Sequence, residues 1–194
     1  RSLNLMSLEW ANRGINLWLV EEGSVTLATG TATYPLPSDT IDLLEHTLRT
    51  NSGETNQTDT SLTRMSVSTY SQITNKLTSG TPTQIYIDRQ RDAPNVTLWP
   101  VPNSTLNGDF VRYFRLRRIQ DVGSKSSNDA DIPARFLPCM VAGLSYYLAL
   151  KRPQAAQRVP TLKAIYEEQF DLAAEEDREK ANLVFTPLSG YYSL

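Results

Sequence analysis

His46 is the only histidine and Cys139 the only cysteine in this chain of 194 residues. Nucleophilic catalysis would need a base beside an activated nucleophile, yet no Gly-x-Ser-x-Gly elbow is present and Cys139 falls in a helical run. His46 stands among Leu43, Leu44 and Leu48 in a strand-like segment, so both residues read as packing groups. A lone cysteine forms no intrachain disulfide and completes no cysteine-based zinc site, and it fits folding in a reducing compartment. Glu21, Glu22, Asp39, Asp42 and Glu45 could supply the two carboxylates of a glycosidase, but acids in turns and on strand faces are ordinarily solvated. Asn128, Asp129 and Asp131 lack the spacing and the distal glutamate of a calcium loop, and helix capping, with Asp131 as N-cap, accounts for them better. The sequons at Asn56, Asn95 and Asn103 would matter only in a secretory context; in this threonine-rich chain they read as coincidence.

The residues with most electrostatic character are Arg112, Arg115, Arg117 and Arg118. They lie in a predicted strand whose faces alternate as Phe110, Arg112, Phe114, Leu116 against Val111, Tyr113, Arg115, Arg117. Aromatic and arginine side chains interleaved in this way could grip a nucleic-acid backbone. Arginine is equally suited to bidentate pairing with carboxylates at protein interfaces, and the chain's net charge of −2 weighs against a DNA-driven reading. The cluster is therefore expected to make intersubunit or interdomain contacts.

The elements that must carry these residues divide the chain by pattern. Hydrophobic residues make up 40% and charged residues 21%, an ordinary globular balance with enough apolar mass for a core. Spacing of Leu3, Met6 and Trp10, with Leu5 nearby, predicts a helix over 1–13 closed by Gly14. Residues 15–120 read as a β-rich portion of about seven short strands, arranged as a sandwich or a strongly bent sheet. Within it, alternation predicts a hairpin turning at Glu21, Glu22 and Gly23, then Thr31–Tyr34, with Pro35 and Pro37 marking an edge or exit. Strands over 41–49, 62–67, 84–89, 96–99 and 110–119 follow, and the polar stretch 50–61 reads as a loop.

Residues 121–130 read as a loop, after which the period becomes helical. Leu137, Met140, Val141, Leu144 and Leu148 predict an apolar face on a helix over 133–151, kinked at Pro138 or beginning near Leu137. A second helix over 161–182 keeps the period at Leu162, Ile165, Tyr166, Phe170 and Ala173, with Glu176 and Lys180 paired on its exposed side. Residues 184–194 read as an extended tail. The expected fold is α+β: residues 1–14 and 131–183 form a helical bundle from which the antiparallel β portion is inserted. No run is long and apolar enough to span a bilayer, the N-terminus lacks the apolar core of a secretory signal, and a soluble chain is expected. It opens on Arg1, which predicts a preceding piece, helical in character.

Six segments in order carry a resemblance: YPLPSDTIDLL at 34–44, LTRMSVSTY at 62–70, Asn75-Lys76, GTPTQIYIDRQ at 80–90, VTLWPVP at 96–102 and DIPARFLPCMVAGLSYYLALKRP at 131–153. Together they resemble the head-to-tail adaptor proteins of tailed phages, also called connector or tail accessory proteins, most familiar from short-tailed phages. The resemblance implies a virion protein with no catalytic centre, metal or cofactor. It implies a homo-oligomeric ring, usually dodecameric, below the portal protein and joined to a downstream tail or nozzle component, with genomic DNA passing unrecognised through the lumen. It also implies portal contact through an extended terminus, here Phe185, Leu188, Tyr191, Tyr192 and Leu194. Rival expectations are a virion-borne module that binds or hydrolyses cell-wall glycan, and a DNA-contacting protein using the arginine strand.

Overall fold

The computed structural model describes residues 2–14, 17–120 and 131–177, and the fold is mixed α+β. The chain divides into two compact units, residues 1–137 and 138–194. The first begins with α1 (Ser2–Asn12), which buries Met6 and Trp10 as the spacing predicts but leaves Leu5 and Leu8 exposed. Gly14 closes the helix at φ 85°, a left-handed conformation in which glycine avoids the Cβ clash.

The β portion holds two four-stranded sheets and one parallel pair among the described residues. The first sheet has the order β1 (Val20–Thr26), β10 (Phe110–Arg117), β3 (Thr40–Thr50), β4 (Thr58–Ser61). The second has the order β2 (Thr33–Pro35), β8 (Asn95–Trp99), β7 (Gln84–Asp88), β5 (Thr63–Met65). The parallel pair joins β6 (Ser79–Gly80) to β9 (Val101–Pro102). Leu43, Leu48, Val111 and Tyr113 of the first sheet share one core with Tyr34, Ile85, Ile87, Val96 and Leu98 of the second, which is sandwich packing. The other face of β7 carries Tyr86, on which Tyr70 of α2 (Val67–Gln72) stacks at 4.7 Å. This short helix, capped by the Ser66 side chain, lies in what reads as the end of a strand in sequence.

Three expectations are corrected. The hairpin at Glu21–Gly23 does not exist: Leu17–Leu19 form a 3-10 turn, and β1 then runs straight through these residues, pairing along its length with β10. Gly23 serves close packing and not a turn, because a Cβ there would stand 2.5 Å from Cε2 of Tyr113. The stretch 50–61 is only partly a loop, since Thr58–Ser61 return beside β3 as an edge strand after Asn51 at φ 53°. Backbone pairing needs no apolar side chain, so this all-exposed strand leaves no hydrophobic signature. Asp131 is not a helix cap: its carboxylate accepts from Arg117 and from the Gln120 backbone N–H. Pro35 and Pro37 behave as expected, with β2 forming the edge of the second sheet.

Helix α3 begins at Leu137, the last residue of the first unit, and runs to Ala149, so Pro138 falls in its first turn and needs no kink. A 3-10 segment (Pro153–Arg158) leads into α4 (Val159–Glu176). Tyr166, Phe170 and Ala173 are buried along α4, and the Tyr166 ring lies 6.0 Å from that of Tyr146 on α3. The rest of the predicted apolar face is only partly turned inward, with Met140 and Leu144 on α3 and Leu162 on α4 half-buried. Leu137, Val141 and Leu148 on α3 and Ile165 on α4 stand exposed, while α3 buries Cys139, Gly143 and Ala149. Residues 121–130, Lys180 of the expected Glu176–Lys180 pair and the tail over 184–194 lie outside the described residues.

Candidate functional site

The arginine strand is β10, and its register explains the fate of each side chain. Opposed residues of an antiparallel sheet share a face, so Val25, Val111 and Leu48 form one inward row and Gly23, Tyr113 and His46 the next. Continuing toward the other end, the inward row becomes Glu21, Arg115 and Leu43, and then Arg117 opposite Thr40. The inward face thus passes from apolar to ionic within four residues of β10. An irregularity between Phe114 and Arg115 omits Leu44 from the pairing, which brings Leu43 and His46 to the same face although they are three apart.

Arg115 and Arg117 are each only 9% exposed and bonded inside the chain. Arg115 donates to Asp39 (2.5 Å), to the Thr40 hydroxyl (3.0 Å) and to Glu21 (2.8 Å). Arg117 donates to the other Glu21 oxygen (2.6 Å), to both carboxylate oxygens of Asp131 and to the Arg118 carbonyl. One network therefore links β1, β3, β10 and the segment preceding α3. The bond from Arg115 holds the Asp39 carboxyl below its usual range, and the bond from Arg117 does the same for Asp131, in each case against the effect of burial. Burial works against the charge of Arg115, but its bonds to Asp39 and Glu21 outweigh this and raise its pKa; Arg117 is raised chiefly by Asp131.

Arg112 and Arg118 differ. Arg112 projects from the opposite face, paired with Glu22 beside the exposed Phe114, and Arg118 is exposed, its guanidinium donating to the Ser38 carbonyl. A cleft of about 690 Å³ next to this end of the strand is lined by Leu8 and Ala11 of α1 and by Asp39, Ile41, Arg118 and Ile119. The second hollow, about 490 Å³, lies on the outer face and holds Arg49 and Arg112 around Phe110. Arg49 is already paired with Asp59.

His46 is 8% exposed, and neither ring nitrogen has a hydrogen-bond partner. Burial, reinforced by the nearby Arg64 charge, lowers its pKa below the ordinary 6.5, so the ring is held neutral. Asn103, a sequon residue, caps the 3-10 turn Ser104–Leu106 by accepting from the Thr105 backbone. The five tail residues from Phe185 to Leu194 lie outside the described residues. Among the described residues no group of three or more His, Cys, Asp or Glu side chains is placed to hold a metal. Nor is any described helix long and apolar enough to cross a membrane.

What sequence reasoning missed is the carboxylate half of the network. Glu21 was hidden by its place in an apparent turn, and Asp39 and Asp131 lie 76 and 14 residues from their arginine partners. A count of nearby charges holds no signal for pairings of that range; only strand order supplies it.

The geometry is that of a β body locked by partly buried ion pairs, together with helices that keep large apolar side chains in water, an arrangement suited to assembly. No curated protein matches the chain. A family model does, over residues 1–189, and the chain therefore belongs to the SU10 adaptor protein family, a family of phage adaptors.

Proposed function

We propose that this adaptor is a ring-forming subunit at the head-to-tail junction of a short-tailed phage. It sits beneath the portal, extends or closes the DNA channel, and offers a docking surface to the next tail or nozzle component. Its mechanism is assembly, without turnover and without a cofactor. The observation that carries this reading is the row of half-exposed leucine, valine and isoleucine side chains on α3 and α4. A chain that worked as a monomer would gain by burying them, whereas a ring subunit must expose such faces to its neighbours.

Arg118, which is exposed, and Arg112, half-buried on the outer face beside the exposed Phe114, are the members of the arginine strand that reach a neighbouring subunit; Arg115 and Arg117 hold the strand in shape for that contact. The tail residues Phe185, Leu188, Tyr191, Tyr192 and Leu194 contact the portal. A net charge of −2 suits a lumen through which DNA slides without adhering. The test is the mass and symmetry of the particle formed with and without the portal protein of the same virion. A closed ring on the portal is expected, and removal of residues 185–194 should abolish that complex while leaving the fold intact. A chain that stays monomeric and never joins a portal overturns the proposal.

A further inference from the structure

A ring that closes by rotation uses heterologous contacts, in which one patch on each subunit meets a different patch on the next. Helices α3 and α4 carry two such patches. On α3, Leu137, Val141, Leu144 and Leu148 follow the 4-3-4 spacing of a helix-packing seam. At about 100° per residue, Leu137, Val141 and Leu148 fall within about 40° of one another, and Tyr146, which meets Tyr166 of α4, points about 160° away. The seam is turned from its own partner helix, and Val141 at its centre is 62% exposed.

On α4, Ile165 and Leu172 are one heptad apart and lie about 110° from the stripe of Tyr166, Phe170 and Ala173 that the helix buries. Ile165 is 45% exposed and Leu172 is exposed as well. The two seams differ in charge. Glu168 lies between Ile165 and Leu172, and Glu175 follows one turn on; both are exposed. Helix α3 has no charged residue, and it is followed at once by the exposed Lys151 and Arg152.

We infer that the α3 seam of one subunit packs against the α4 seam of the next, with Lys151 and Arg152 facing Glu168 and Glu175. The occupant is a second copy of this chain. One seam is basic at its end and the other acidic, so each complements the other better than itself, which favours a heterologous contact over a two-fold one. The half-exposed side chains of the two seams together offer about 400 Å² of apolar area, a fitting centre for an interface of standard size, about 1,600 Å² with its polar rim. The inference rests on the ring reading above and adds which surfaces close the ring.

The experiment uses two full-length variants, Val141→Glu, which places a carboxylate opposite the acidic seam, and Ile165→Glu, which does so within it. Each alone should lose self-association at least 100-fold, measured by mass photometry or sedimentation, with portal protein added if the wild type requires it. Each retains one intact seam, so an equimolar mixture should form heterodimers and nothing larger. Circular dichroism and thermal midpoints like the wild type establish folding; Leu148→Ser and Leu172→Ser, milder changes at the same seams, should weaken assembly in the same order. Rings that form normally in all four variants overturn the inference while leaving the adaptor reading in place. So does dimerisation of Ile165→Glu alone, which would mean that α3 pairs with itself, or loss of portal binding with self-association unchanged, which would make the portal the occupant. A wild type that forms no ring under either condition overturns both.

Discussion

The two ends of the inward face built on β10 differ in chemistry, one apolar and the other ionic. At one end Val25, Val111 and Leu48 pack into the apolar core shared with the second sheet; at the other Glu21, Arg115, Arg117, Asp39 and Asp131 form an ion network. Both ends are built on β10, with the same alternation and much the same degree of burial. The apolar end is non-directional and tolerates any side chain of similar volume, whereas the ionic end demands particular partners from four segments. The difference teaches where this fold is merely stable and where it is specified: the network fixes the segment leading to α3 against three strands.

The largest effect should come from the apolar end. Leu48→Ala, which removes a fully buried side chain, should cost about 3 kcal/mol in denaturant unfolding, by the same amount at pH 5 and pH 8. A loss under 1 kcal/mol would place the principal core elsewhere. At the ionic end, Arg117→Ala leaves Asp131 with only the Gln120 N–H and Glu21 with only Arg115; because these carboxylates are partly exposed, about 2 kcal/mol is expected near neutral pH, below the range for fully buried pairs. Since the folded-state pKa of Asp131 lies below its ordinary 3.8, the stabilisation is full above that value and is lost as pH falls through the folded pKa. The deficit of Arg117→Ala should accordingly shrink in acid, and a pH-independent deficit would mean that Arg117 acts by packing alone.

His46 sits at the boundary between the two ends, and the smallest effect is expected there. Its folded pKa is lowered, so the unfolded chain binds the proton more readily; stability is full above pH 6.5 and declines as pH falls from there toward the folded value. Arg64 opposes protonation and Glu45 and Asp42 favour it, which keeps the effect modest. His46→Leu should flatten the stability profile between pH 6.5 and 5, and an unchanged slope in that window would assign it to other groups.

Legibility in the sequence followed the range of the interactions. The strands over 41–49, 84–89, 96–99 and 110–119 are recovered as β3, β7, β8 and β10, because each alternates apolar side chains toward one core. The arginine strand's two faces were legible for the same reason. Its partners were not, since Asp39 approaches Arg115 only once β3 lies beside β10. The failed hairpin shows the converse: Glu-Glu-Gly has turn composition, and the ring of Tyr113 makes that glycine a strand residue. The helices mark a third limit. Apolar periodicity identified the correct stripe on α3, but periodicity says only that a face is apolar, and here that face meets water within the chain.

By itself the sequence determined the α+β class, the helical and strand periods, the packing character of His46 and Cys139, and the ordered resemblance to phage adaptors. These depend on local pattern and composition, which a linear chain carries in full. Tertiary structure alone decided which carboxylates hold Arg115 and Arg117, that Gly23 belongs to a strand, and that the leucine and valine seam of α3 faces outward. Each of these is fixed by segments far apart in the chain, and their proximity is a property of strand order and helix packing that no local spacing encodes.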